Sequence, residues 1–214
     1  MRTRTSAPGA PGTEETDALP GTRERIVRAA SLLMQRQGYD GTGIKQISQE
    51  AGATLGSVYH FFPGGKQELA VAAVHRGDEE FSAILRELLD AEPDPAKAVV
   101  AVTLDLAEGL RASDWRDGCP VTATALGTSG RLPDIQRAAS TAFARWQEIV
   151  ETRLRASGMP GDEAAELAVM VICTLEGAEL AAQVSRDERP LLIAGRQLAR
   201  LIGPARTDRS ARTD

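Results

Sequence analysis

The chain has 214 residues, 42% of them hydrophobic, enough for one or two domains with a buried core, and its formal net charge of −5 argues on its face against a nucleic-acid partner. The longest strongly apolar run, Leu167 to Leu175, is far shorter than the roughly 18 residues a membrane span needs, and no signal-peptide pattern opens the chain. Cys119 and Cys173 stand 54 positions apart without CxxC spacing or nearby histidines, which suggests neither a zinc site nor a disulfide framework and suits reduced cytoplasmic thiols.

Residues 1–21 are rich in Thr, Pro, Gly, Ala and Glu, with almost no large apolar side chain, and read as a disordered arm. Arg2 and Arg4 within it suit either a minor-groove contact or a free terminus. From Thr22 to about Gln37, Ile26, Ala29, Ala30 and Leu33 keep the helical period, and Gly38 closes the helix. Thr42 is a suitable N-cap for a second helix carrying Ile44, Ile47 and Ala51 on one narrow face. Gly52 supplies a tight corner, and Thr54 caps a third helix over Leu55 to Phe62. There Val58 and Phe61 or Phe62 face inward, leaving Leu55, Ser57, Tyr59 and His60 outside, while Gly56 permits close backbone approach. Pro63, Gly64 and Gly65 end that helix and Lys66 opens the next. Two short helices around a glycine turn make a helix-turn-helix, a DNA-reading module.

A long amphipathic segment follows through Leu69, Val74, Phe81, Ile84, Leu85 and Leu88 to Asp90, until Glu92-Pro93-Asp94-Pro95 breaks it. Further helices are predicted at about 95–112, 120–127, 132–157, 161–186 and 189–202, with Gly or Pro at the corners and no strand signal. The expected fold is all-α, with a three-helix DNA-binding domain over 22–68, a second helical domain over 69–202, to which the family resemblance named below gives regulation and dimerisation, and a disordered tail over 203–214. Charge divides the same way: residues 22–69 hold six Lys or Arg against four Asp or Glu, whereas residues 70–214 hold 17 against 23. Phosphates feel the field within about 8 Å, not the whole-chain sum, so an acidic lobe does not forbid a DNA-binding head.

The residues from Arg25 to Ala30, Gly38-Tyr39-Asp40-Gly41-Thr42, Ile47, Glu50-Ala51-Gly52, Tyr59, Phe62, Lys66 and Leu69 together resemble the tetracycline-repressor (TetR) family of bacterial transcription regulators. Phe62-Pro63-Gly64-Gly65-Lys66 and Gly118-Cys119-Pro120-Val121 are similar to its LmrA/YxaF-like branch, and Phe61 stands where the family often has His or Tyr. The resemblance implies phosphate contacts from Thr42, Thr54, Tyr59 and Lys66, with Leu55, Gly56, Ser57 and His60 in or beside the major groove of double-stranded operator DNA. Thr42 and Thr54 also read as plain helix caps, and Tyr59 as a core ring.

The family pairs its subunits through the last two long helices, here near 161–186 and 189–202, and the run from Leu167 to Cys173 is apolar right around a helix, as either a dimer face or an internal helix requires. A small apolar or cationic effector is implied between head and dimer face. Trp115, Cys119, Leu126, Phe143, Trp146, Met170 and Cys173 are candidate wall residues or simple core, and Glu176 and Glu179 are candidates to favour a cation. The expected function is a repressor released from a pseudo-palindromic operator by that effector; an alternative is a redox-responsive regulator sensing through Cys119. No HExxH, GxSxG or complete phosphate loop is present, so neither an enzyme nor a cofactor is expected.

Overall fold

The computed structural model describes residues 21–203; residues 1–20 and 204–214, including Arg2 and Arg4 of the expected arm and most of the expected tail, lie outside the described residues. Within them the chain is all-α, with no strand. In chain order the helices are α1 (Thr22–Gly41), α2 (Ile44–Glu50), α3 (Leu55–Phe61), α4 (Gly65–Ala91), α5 (Pro95–Ala112), α6 (Pro120–Leu126), α7 (Pro133–Ala156), α8 (Gly161–Ser185) and α9 (Arg189–Ile202).

The head forms around a few apolar anchors. Ile26, Ala30 and Met34 of α1, Ile47 of α2, Val58 of α3 and Phe62 are all buried. Of the two candidate phenylalanines it is Phe62 that points inward, at 1% exposure, while Phe61 is 36% exposed. Gly38 leaves helical geometry at φ 70°, ψ 176°, so the regular part of α1 stops where its glycine was expected to stop it.

Thr42 is a correction. It does not cap α2, whose N-cap is Gly43 with no side-chain hydrogen bond. Its hydroxyl instead donates back to the Gly38 carbonyl at 2.8 Å, and the residue is 1% exposed. Because Gly38 breaks the helical ladder, its carbonyl is free to take that bond, and Thr42 closes the turn from inside. Thr54 does cap α3, its Oγ1 accepting from the Ser57 amide at 3.0 Å.

Helix α4 joins the head to the rest, packing on α1 and on α5, α6 and α7. Arg76 pairs with Glu24 of α1, and Arg145 of α7 reaches Asp78 of α4 at 3.3 Å. At its far end Arg153 of α7 donates to the carbonyls of Leu89 and Glu92, each at 2.8 Å, satisfying acceptors the helix end leaves over. One contiguous cluster of buried apolar side chains runs from Ile26 in α1 through Leu69, Val74 and Leu85 of α4 to Ile202 in α9. Head and lobe therefore share a core.

In the lobe α5 packs closely on α9 and α7 on α8. Helix α8 is long and apolar enough, by length and composition alone, to cross a membrane, although no unbroken apolar run in it is that long. Its Ala164, Ala168, Val171, Ile172 and Leu175 are buried, while Val169, Met170, Cys173, Leu180 and Val184 are exposed.

Glycine sets two close approaches. A Cβ on Gly77 of α4 would lie 2.7 Å from Pro120 Cγ, and one on Gly195 of α9 would strike Thr103 Oγ1 of α5. Gly195→Ala is expected to destabilise the fold by about 1–3 kcal/mol through overpacking. Gly109→Ala in mid-α5, where an added Cβ meets nothing within 4 Å, is expected to stabilise by roughly 0.5–1 kcal/mol. Thermal melts of the two variants should move in opposite directions.

Candidate nucleic-acid interface and internal cavity

The outer surface of the head is built by the entrance to α3. Thr54 Oγ1 holds the Ser57 amide and shares a 2.9 Å hydrogen bond with Ser57 Oγ, so one cap fixes both hydroxyls on the first turn. Beside them Leu55 is 37% and Tyr59 50% exposed, and Thr54, Gly56 and His60 are exposed as well. Ser57 is half-buried. His60 meets Phe61 edge-on, with centroids 5.0 Å apart.

The N-terminus of α4 lies against the same surface. Gly65 adopts φ 66°, and a Cβ there would stand 3.7 Å from both Tyr59 and Ile44. Lys66 Nζ sits 4.3 Å above the Tyr39 ring. Partial burial pulls the Lys66 ammonium below its ordinary value, with Asp40 opposing and Arg131 assisting. Of the expected DNA-contact residues, then, Thr54, Leu55, Gly56, Tyr59 and His60 are exposed on this surface, with Ser57 and Lys66 half-buried. Thr42 lies beneath it.

The head is clasped to the lobe. Arg36 grips Asp117 with both nitrogens, at 2.5 and 2.9 Å, and that carboxylate raises the guanidinium's pKa. Gln35 donates to the Gly118 carbonyl, Arg131 pairs with Asp40 at 2.6 Å, and Gln67 donates to Asp134 at 2.9 Å. Asp117 and Gly118 belong to the α5–α6 loop, in which Asp114 (φ 54°) and Trp115 (φ 62°) both occupy the left-handed region. Two such non-glycine residues in succession are strained.

That loop also walls a cavity of about 230 Å³ among α4, α5, α7 and α8. Phe81 of α4 and Trp146 of α7 form its aromatic side, with centroids 4.9 Å apart, joined by Leu106 and Leu110. Glu80, Asp105, Asp117, Glu176 and Glu179 line it too, with Glu80 and Asp105 at the exposed rim and Glu179 buried. Glu176 accepts from Thr122 Oγ1 at 2.5 Å. Burial raises both the Glu176 and Glu179 carboxyls, and Glu179, further disfavoured by the neighbouring Glu176 charge, is pushed up to about 8. Cys119 caps α6, its Sγ accepting from the Thr122 amide at 3.4 Å; burial and the two glutamates push its thiol well up.

The expected wall residues separate. Cys119 and Trp146 line this cavity, and Leu126 lines an adjoining one of about 70 Å³ that also touches Cys119. Phe143 lies against Trp146, centroids 5.0 Å apart, without lining the cavity. Trp115 packs in a satellite cluster with Leu110, Ala182 and Leu191. Met170, 52% exposed, and Cys173 face outward from α8. Phe81, Asp105, Gln35 and Gly118 were missed. Phe81 alone had a signal, as the one aromatic ring in a long apolar-faced helix otherwise rich in alanine.

Residues 26–73 match the model for bacterial regulatory proteins of the tetR family, and residues 95–197 match that for the C-terminal domain of LmrA/YxaF-like transcriptional regulators. An uncharacterized HTH-type transcriptional regulator of Mycobacterium tuberculosis (strain ATCC 25618 / H37Rv) is 38% identical over 196 residues, covering 86% of this chain and 95% of its own. The HTH-type transcriptional regulator LmrA of Bacillus subtilis (strain 168) is 34% identical, covering 80% of this chain and 91% of its own. Among solved structures, the fold is similar to a cysteine mutant of the TetR family transcriptional regulator CifR complexed with 26-bp double-strand operator DNA. The TM-score is 0.72 at 20% identity, covering 83% of this chain and 95% of that one. With a helix-turn-helix head, two matching family models and relatives of this identity along most of its length, the chain belongs to the TetR family and is a DNA-binding transcriptional regulator, not an enzyme.

Proposed function

We propose that the protein is a cytoplasmic homodimeric repressor that sits on a pseudo-palindromic operator and leaves it when a small molecule enters the cavity. The observation that carries this reading is that one loop serves both places. Asp117 and Gly118 bond to Arg36 and Gln35 of α1, two to three residues before the Gly38 break, while Gly118 and Cys119 wall the cavity. A ligand that shifts the loop shifts the support of the reading head. Such coupling requires that the ligand bind the two arrangements with different affinity.

On this reading Thr54, Tyr59 and Lys66 hold phosphates, Leu55, Gly56, Ser57 and His60 meet the major groove, and Thr42 braces them from below. Pairing is supported by the exposed stripe Val169, Met170, Cys173, Leu180 and Val184 on α8 with Ile193 and Leu201 on α9. On α8 these recur at three- and four-residue intervals with Gly177 between them, the spacing of a helix face made to be covered. A second copy supplies that cover, and twofold pairing sets two heads at the spacing of DNA turns. The redox alternative is disfavoured, because a thiol pushed up by burial beside two carboxyls is a poor thiolate.

Selection of bound duplexes by the purified protein tests the reading. Lys66→Ala should weaken binding to every sequence and flatten the salt dependence by about one unit of log–log slope, whereas Ser57→Ala should change preference at particular bases. Val184→Glu, which puts a charge where Val184 is 78% exposed on the stripe, should leave a folded monomer by sedimentation with weakened operator binding. If that variant and the unaltered chain have the same mass in solution, the pairing surface lies elsewhere.

A further inference from the structure

Resting on the effector reading above, we propose that the cavity is a receptor for a small aromatic ammonium compound, with Glu179 and Glu176 as its anion pair and Phe81, backed by Trp146, as the wall that holds its ring. Three observations converge on that chemistry. The first is charge. Among the described residues five carboxyl side chains line the cavity and no Lys, Arg or His does. Two of them are answered from outside, Asp117 by Arg36 and Glu80 by Arg76 at 2.6 Å. Asp105 at the rim and Glu176 and Glu179 deeper in have no basic partner among the described residues. A buried carboxylate without a cation is costly, and a ligand that supplies one recovers that cost on binding.

The second observation is an aromatic wall. Phe81 is half-buried and stands at 82° to Trp146, which is 0% exposed and backs it, and a ring such as Phe81 attracts a cation held over its face. The third is size. A cavity of about 230 Å³ is small for a drug-sized ligand but suits one ring with a short amine chain.

Protons move in a defined sense. Without a cation the buried Glu179 carboxyl keeps its proton up to about pH 8. The groups that face it are Glu176 on its own helix, Cys119 at the start of α6, Asp105 on α5, Glu80 on α4 and Asp117 in the loop, all of them acids. A bound ammonium stabilises the carboxylate, so binding expels the Glu179 proton to solvent. Affinity for the cation therefore rises with pH, by at most about tenfold per unit, and levels off above about 8.

The test is calorimetric titration of the full chain with 2-phenylethylamine, protonated throughout this range, against its neutral and anionic counterparts 2-phenylethanol and phenylacetate, at pH 6 and pH 8. The amine is expected to bind at least tenfold more tightly than the alcohol at pH 8, to lose much of that margin at pH 6, and to release a proton as judged from buffers of different ionisation heat. Phenylacetate is expected not to bind. Glu179→Gln, nearly the same shape, should erase both the preference and its pH slope, and Glu176→Gln should reduce the preference; thermal melts establish that each variant is folded. If Glu179→Gln does not fold, Glu176→Gln together with the proton count on the unaltered chain decides the matter. The site is overturned if the amine fails to bind at millimolar concentration, if the alcohol binds as well, or if folded glutamine variants keep the preference. Amine binding that leaves affinity for selected duplexes unchanged overturns the effector reading and leaves the cation site standing. Release from DNA by another compound, with no amine preference, does the reverse.

Discussion

Continuity of the apolar core through α4 is the constraint on which the rest of the structure depends. A head of three helices, two of them only seven residues long, buries too little surface to hold itself rigid. Ile26, Met34, Ile47, Val58 and Phe62 acquire the rest of their cover from Leu69, Ala70, Ala73 and Val74, whose helix runs on into the lobe core at Leu85 and Leu89. The reading surface is therefore positioned by the lobe. The Arg36–Asp117 pair and the Gln35 bond to Gly118 add direction to that attachment more than strength, since ion pairs near the surface contribute only about 0–1 kcal/mol.

Charge is distributed with the same economy. The basic excess of the head is small, and the acidic excess of the lobe is placed partly at the rim and floor of a cavity instead of being spread over solvent-facing helices. Salt screens the lobe's charge from phosphates bound more than about 8 Å away, so it serves the cavity without repelling DNA from the head. Inside the cavity burial raises the Glu179 carboxyl and the Cys119 thiol, and the Glu176 charge pushes both further up.

Local rules made much of this visible in the sequence. Thr54 as a cap, Gly38 as a stop, and Pro95, Pro120 and Pro133 at first-turn positions all act within a few residues, and the helix bounds followed from them. Thr42 escaped because its place between two helices suits a cap for α2 as well as a bond back into α1, and only the backbone geometry at Gly38 brings a carbonyl to its hydroxyl. The cavity was half visible. Cys119, Trp146 and the two glutamates stood out by type, but Met170 and Cys173 could not be placed, because a helix apolar on every side does not say which side turns inward. Phe81 and Asp105 come from the consecutive helices α4 and α5, and no single-segment pattern joins them to Trp146 of α7 or the glutamates of α8.

The arginine that seals the end of α4 has a mechanical consequence. With its last carbonyls held by Arg153, the helix has a fixed fulcrum at Leu89–Glu92 and its other end at Lys66, against the head. Its 27 residues make a stiff lever roughly 40 Å long. A tilt of about 5° at the fulcrum carries Lys66 roughly 3 Å sideways, about the length of a hydrogen bond, so a small change of angle in the lobe is enough to remake the contacts at the tip.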